Sequence, residues 1–387
     1  MTERFGSYQN EIYLQGYGGT LPLCSTDATK LEESAKELMG PGPFSYVAGA
    51  AGSGATARAN RAAFDSWRIV PRMLTGATER DLSTTVLGTK LPGPLLVAPV
   101  GVQSIVHPDA EKATARAAAS VGLPFILSTA SSTSIEDAAE ANGDGPRWFQ
   151  LYWPSDHDVC ASILARAKAA GFTTLVLTLD TWTLAWRPSD LDQAYLPFLQ
   201  GEGCAVGFSD PVFRGLLEKT PEEDQPSAIL RWIGMVTGTD HTWDQLSFLR
   251  EHWDGPIVLK GIQHIDDARR AVDEGVDGIV VSNHGGRQVD GAIASLDVLP
   301  EIAAAVGDQL DVLFDSGIRT GADVLKAVAL GAKAVLVGRP WVYGLAHGGE
   351  AGVRHVLRSL LADTDLTLGL SGHKSLAELS PEDLRRA

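Results

Sequence analysis

DVLFDSGIRTGADVLKAVALGAKAVLVGRP, residues 311–340, decides the fold. A short apolar run closes on Asp-Ser-Gly, an Ala-rich stretch of helical character follows (TGADVLKAVALGA), and a second apolar run closes on Gly-Arg-Pro. Continuous apolar runs are strands buried on both faces, and a helix between two of them makes the pair parallel. The unit repeats toward the N-terminus in PIVLKG (256–261) and GIVVSNHG (278–285). Before these stand PLLVAPV (94–100), PFILST (124–129), RWFQLY (147–152) and TLVLTLD (174–180). Eight such units close into a barrel more readily than into an open sheet with two exposed edges. The expected class is α/β, a (β/α)8 TIM barrel with an N-terminal helical cap and a long insertion after strand 4.

The expected organisation is one domain over 1–387, with residues 1–90 as the cap, 91–361 as the barrel and 362–387 as a C-terminal tail. The cap holds one amphipathic helix candidate, TDATKLEESAKELM (26–39), followed by PGPFSYVAGAAGSG (41–54). The insertion, about 188–250, is rich in Gly, Pro and acid, and a connection that long reads as a lid or a disordered stretch.

Composition removes several function classes. Lys and Arg total 32 against 48 Asp and Glu, a net charge of −16, the wrong sign for attraction to nucleic acid or an anionic membrane. Cys24, Cys160 and Cys204 share neither metal-ligand spacing nor the even number of a disulfide framework, so no metal is expected and the reducing cytoplasm is the expected compartment. MTERFGSYQNEIYLQG lacks the apolar core of a signal peptide, and no later apolar run approaches the roughly 18 residues of a membrane span.

Active sites of such barrels lie at the C-terminal ends of the strands. Gln150 and Tyr152, Thr178 and Asp180, and Ser282 and His284 are each read as two residues apart on a strand, so both members of a pair are expected to point to the same face. Lys260 ends a fifth run. SNHGGRQ (282–288) is the most specific string: His284 can move a proton near neutral pH and Arg287 can grip a carboxylate with two hydrogen bonds. Asp180 is a candidate to orient His284. DSGIRTG (315–321) and VGRP (337–340) follow strands seven and eight, where Gly amides at a helix N-terminus together with Arg319 and Arg339 suit a phosphate. A phosphate-bearing ligand, a strand lysine and a His/Arg pair together describe a flavin site holding FMN, and no G-x-G-x-x-G fingerprint of a dinucleotide site is present.

LKG, SNHGGRQ, FDSGIRTG and GRP, in this order, resemble the FMN-dependent 2-hydroxy acid oxidase family, above all its lactate monooxygenase branch. The likeness extends to YQNEIY, FSYVAGAAG, PRML, ATERDLS, FQLYWP and TLDTWTLAWRPSD, nearly the whole chain. It implies FMN as cofactor, O2 and a small L-2-hydroxy acid as reactants, and a tetrameric or octameric assembly. By motif, His284 corresponds to the base, Arg187 and Arg287 to the carboxylate-binding arginines, Tyr46 and Tyr152 to substrate-contacting tyrosines, and Lys260 to the lysine beside the flavin. Val100 and Gly101 would back the ring, with Ser128, Gln150, Thr178 and Ser282 around it. Asp315, Gly317, Arg319, Gly338 and Arg339 would serve the ribityl chain and phosphate.

Three outcomes follow from the resemblance. Keto acid held beside peroxide is decarboxylated, which for lactate gives acetate, CO2 and water; keto acid released early makes an oxidase; an FMN-barrel isomerase would use the flavin without net oxidation. The insertion, with Trp182, Trp186 and Arg187 at its root, is the expected retaining lid, a packing role between subunits being the alternative. Ala130 replaces a larger residue of the family pattern, which implies room for side chains longer than a methyl group.

Overall fold

The computed structural model of the chain describes residues 4–239 and 241–387. All eight expected runs form strands: β1 Leu95–Val97, β2 Phe125–Ser128, β3 Arg147–Leu151, β4 Leu175–Thr178, β5 Ile257–Ile262, β6 Gly278–Val281, β7 Asp311–Phe314 and β8 Ala334–Val337. Each pairs in parallel with its neighbour in the chain, and β8 closes on β1 with Leu336 opposite Leu96. The fold is the expected closed barrel, with helices between successive strands.

Alternation along each strand feeds two cores. Outward residues such as Leu95, Phe149, Leu177 and Val335 pack beneath the helices. Inward Leu96, Ile126, Trp148, Val176, Val258, Val280, Leu313 and Leu336 fill the lumen. A hairpin of Thr84–Val86 and Thr89–Leu91 turns through Leu87 (φ 49°) and Gly88 (φ 76°), two positive φ values that match strand twist in a two-residue turn. Val86, Leu87 and Leu91 join the luminal cluster, and the Leu87 amide donates to Oδ2 of Asp311, the first residue of β7, at 2.6 Å. The hairpin therefore seals the barrel under the strand starts.

The cap contains four helices, Tyr8–Tyr17, Ala28–Met39, Pro41–Ala48 and Ala55–Asp65, of which the sequence reading identified only the second. Asp27 caps that one by accepting from the amides of Thr29 and Lys30. PGPFSYVA looks like a loop, yet Pro is favoured in the first helical turn, where its missing amide has no partner to lose. At the other end, a helix over Arg339–Leu370, kinked at Gly348 and Gly349, runs through the boundary expected at residue 361. Leu384–Arg386 then pairs antiparallel with Trp67–Ile69, so the last residues complete the cap.

The insertion is ordered and helical, with Pro188–Asp192, Ala205–Phe208, Pro211–Gly215 and Gln225–Val236 as its helices. It is tied to the loops after each of the first four strands. Ser104 donates to Glu202, the Ala205 amide to Ser131 O (3.0 Å), the Ser155 amide to Met235 O (2.9 Å) and the Gly238 amide to Trp182 O (2.6 Å). Asp210 caps the helix Pro211–Gly215 while accepting from Ser162 and Arg166, which fastens the segment to the barrel's third helix, His157–Ala169.

Candidate active site

Two residues above six of the eight luminal apolar side chains stands a polar one: Ser128 above Ile126, Gln150 above Trp148, Thr178 above Val176, Lys260 above Val258, Ser282 above Val280 and Asp315 above Leu313, with Ala98 and Gly338 above Leu96 and Leu336. These begin a cavity at the C-terminal mouth that encloses about 1600 Å3 of atom-free space, its open end included.

His284 is not on a strand, as the sequence reading had it, because β6 ends at Val281. It lies in a tight turn, and His284, Gly285 and Gly286 all have positive φ (57°, 66° and 78°). The two glycines are required for this backbone, and a Cβ on Gly286 would lie 2.5 Å from the Ala57 amide of the cap. Ser316 Oγ accepts from the amides of Asn283 and Gly285, and Asn283 exchanges amide hydrogen bonds with Asn60 at 2.7 and 2.8 Å. Strain at the turn is thus balanced by bonds from β7 and the cap. Tyr152 and Asp180 also lie just beyond their strands, which end at Leu151 and Thr178.

Asp180 Oδ1 lies 2.8 Å from His284 Nδ1, and Thr181 Oγ1 lies 3.0 Å from both. With Nδ1 so engaged, Nε2 is the nitrogen left for the cavity that His284 lines. Burial lowers the His284 pKa against the opposing pull of Asp180. For Asp180 burial opposes ionisation, but the interaction with His284 and the Lys260 cation prevail and hold it below the ordinary carboxylate value. The pair is a neutral imidazole aligned by a carboxylate, a base ready to take a proton.

Arg187 and Arg287 face the same cavity. Arg187 donates to Arg287 O (3.0 Å) and Gln288 Oε1 (2.5 Å), and Arg287 to Tyr46 O (2.5 Å) and Gly49 O (3.0 Å). Burial and the Arg287 cation push the Arg187 pKa down to about 10. Among the described residues no carboxylate is hydrogen-bonded to either guanidinium, so this corner attracts an anion. Tyr46, from the cap, and Tyr152 add hydroxyls, both with pKa raised by burial and therefore protonated donors.

Lys260 Nζ is held by Asp315 Oδ2 (2.8 Å) and Ser282 Oγ (2.9 Å). Burial disfavours its charge, but Asp315 and Asp180 more than compensate and raise its pKa. Gln150 Oε1 accepts from Ser128, which leaves its buried Nε2 without a partner.

At the far end Arg319 and Arg339 line the cavity, and their side chains donate only to main-chain carbonyls: Ile318 O, and Val47, Gly285 and Gly49 O. Burial depresses both pKa values, that of Arg339 to about 10. The helix starting at Arg339 has no side-chain cap. The helix after β7 differs from expectation, because Thr320 and Asp323 cap it reciprocally and the Gly321 amide donates to Asp363. Free helix-terminal positive charge is therefore offered after β8, not after β7. Two half-buried arginines with no carboxylate hydrogen-bonded to their side chains among the described residues, an uncapped helix start and an orphaned amide donor fit a phosphate at one end and a polar ring edge at the other, the demands of FMN.

Of the residues expected here, Val100, Gly101, Gln150, Thr178, Asp315, Gly317, Arg319, Gly338 and Arg339 line the cavity, as do His284, Lys260, Tyr46, Tyr152, Arg187 and Arg287. Ser128, Ser282 and Asp180 are not among the lining residues but are hydrogen-bonded to Gln150, Lys260 and His284, which are. Trp182 and Trp186 are 58% and 74% exposed and point away. Sequence reasoning missed Leu196, Phe198, Trp232, Ile233 and Val236, insertion residues that roof the cavity. It also missed Thr181, whose place beside Asp180 in TLDT was the available signal.

Comparison with known proteins agrees with this geometry. A family model described as FMN-dependent dehydrogenase matches residues 35–386. An FMN-dependent alpha-hydroxy acid dehydrogenase of Penicillium citrinum, qulF, is 53% identical over 386 residues, covering 99% of this chain and 96% of that protein. An L-lactate oxidase of Lysinibacillus sphaericus is 41% identical, covering 92% and 91%. A crystal structure of mandelate oxidase with (S)-2-phenylpropionate superimposes with a TM-score of 0.81 at 36% identity, covering 94% of this chain and 98% of that one. Sequence motifs, barrel and cavity converge with these matches: the chain belongs to the FMN-dependent dehydrogenases and oxidises an α-hydroxy acid with FMN as its cofactor.

Proposed function

We propose that the protein oxidises an L-2-hydroxy acid with O2 and retains the keto acid until peroxide decarboxylates it, a 2-hydroxy acid monooxygenase with lactate as the simplest substrate. The observation that carries this reading is the roof: Leu196, Phe198, Trp232, Ile233 and Val236 cover the mouth, and the insertion bearing them is tied to four barrel loops.

Arg187 and Arg287, with the hydroxyl of Tyr46, over whose ring the Arg287 guanidinium sits, hold the substrate carboxylate, each charge-assisted bond contributing about 1.5–3 kcal/mol. Tyr152 donates to the 2-hydroxy end, and Nε2 of His284 takes the proton that the substrate releases while Asp180 steadies the resulting imidazolium. FMN, when bound, would supply the two-electron chemistry, taking the pair the substrate gives up and passing it to O2, so that peroxide would form beside the retained keto acid. Val100 and Gly101 would back its ring, Lys260, Gln150 and Thr178 would meet the polar edge, with Ser128 and Ser282 supporting them. Asp315 and Gly317 would serve the ribityl chain, and Arg319, Gly338 and Arg339 the phosphate. Lys260 supplies a fixed ammonium where negative charge accumulates, an effect strengthened by exclusion of water. In the final step peroxide adds to the keto carbonyl, the bond to the carboxylate breaks, and the shortened acid, CO2 and water result.

The oxidase reading, in which keto acid and H2O2 leave separately, draws on the likeness to L-lactate oxidase. Aerobic turnover of L-lactate with acetate, pyruvate and H2O2 quantified together separates the two. Acetate without free peroxide is the expected result, and pyruvate with equimolar peroxide makes the protein an oxidase. A flavin that no 2-hydroxy acid bleaches anaerobically overturns both and leaves the isomerase reading.

A further inference from the structure

We propose that the preferred substrate carries a large apolar α-substituent, a branched aliphatic or aromatic group rather than a methyl, and that the insertion reads it. The proposal rests on the hydroxy acid reading above and concerns the α-substituent, the one part of the substrate to which that reading assigns no contact.

The cavity wall divides by chemistry. His284, Tyr46, Tyr152, Arg187 and Arg287 each have a role with the carboxylate or hydroxyl. The same cavity is lined by Ala130 from the loop after β2 and by the insertion residues Leu196, Phe198, Trp232, Ile233 and Val236, apolar but for one indole N–H, with Phe198 edge-on against Tyr46 at 6.3 Å between ring centroids. A methyl group would leave most of this surface against water or empty space, whereas a larger substituent covers it.

The wall is built rather than incidental. Trp232, Ile233 and Val236 belong to the two last turns of the helix Gln225–Val236, so two of them are four residues apart on one face. Trp232 is fixed edge-on against Phe213 with ring centroids 5.2 Å apart, and a Cβ on Gly207 would lie 2.5 Å from its indole. The Ser155 amide bond to Met235 O anchors the same turn to the barrel. Gly101, Ala130 and Gly203 pack backbone to backbone: a Cβ on Gly101 would lie 2.5 Å from Ala130 O, and one on Gly203 would lie 2.9 Å from it. None of the three carries more than a methyl, while Phe198 and Val102 close in on Gly203, where an added Cβ would lie 2.8 and 2.9 Å from them.

The test is a panel of L-acids on the purified yellow holoenzyme: lactate, 2-hydroxybutyrate, 2-hydroxyisocaproate, mandelate and 3-phenyllactate, read as kcat/KM and as anaerobic flavin bleaching. Since one methylene in an apolar pocket discriminates by about tenfold or more, the best large acid should exceed lactate at least tenfold. Phenylacetate, which cannot be oxidised, should perturb the flavin spectrum with a Kd at least tenfold below that of acetate. Ala130→Phe and Ile233→Trp, two independent ways of filling the chamber, should each lower the ratio of large-acid to lactate kcat/KM at least thirtyfold. Lactate matching or exceeding every larger acid overturns the proposal while the hydroxy acid reading stands, as does a ratio unmoved in both variants when folded. Bleaching by none of the acids removes the hydroxy acid reading and the proposal with it.

Discussion

The lower and upper halves of the barrel lumen are drawn from the same strands, two residues apart, and are made of opposite materials. Below, Ile126, Trp148, Val176, Val258, Val280 and Leu313 pack without a charge among them. Above, Ser128, Gln150, Thr178, Lys260, Ser282 and Asp315 form a buried polar ring. The dry half supplies burial energy and rigidity, and the polar half spends it on groups that no folding argument requires. Lys260 marks the seam, since its ammonium needs Asp315 and Ser282 above while its stem rises from Val258 below.

The comparison breaks if the upper half turns out to be structural. His284→Asn removes the base but keeps a residue that tolerates positive φ. Flavin reduction in anaerobic stopped-flow should slow about a thousandfold, within the range of general-base losses, with the melting temperature nearly unchanged; a large drop in melting temperature would contradict the division.

Trp148→Ala tests the other half. It should cost about 3–5 kcal/mol in denaturant unfolding, and the folded fraction should still bleach with substrate. Unaltered stability would mean that the lumen floor is not where the barrel's strength resides.

The smallest effect sharpens the upper half alone. Burial holds the His284 pKa below its ordinary 6.5, so the neutral base persists on acidification and the acid limb of kcat/KM should fall below that pH. The unfolded chain takes up this proton more readily than the native one, so the same group removes stability as pH drops below about 6.5. Asp180→Asn withdraws the carboxylate that favours imidazolium. The limb should move lower still and kcat should fall about a hundredfold; a limb that moves upward would refute the assigned pair.

The strands were legible because buried parallel strands are continuous apolar runs, and VVSNHGG and LFDSG end in residues an apolar lumen does not need. His284 was assigned to a strand because two-residue spacing was extended past Val281, where backbone bonds from Ser316 and Asn283 take over. The expected phosphate loop after β7 failed for a local reason, since Asp323 is three residues past Thr320 and caps its own helix. Trp232, Ile233 and Val236 left no signal, because nothing in an amphipathic helix tells which distant loops it will cover.

The strand Leu384–Arg386 closing on Trp67–Ile69 has a consequence for biosynthesis. Asn60 meets Asn283 across 223 residues, Ser53 meets Asp290 across 237, and Phe64 packs edge-on against Phe314. Asn60 and Phe64 therefore cannot be satisfied until Asn283 and Phe314 have been made. Contacts of such separation fold slowly, and until they form the faces of the cap that will be buried stay open to aggregation.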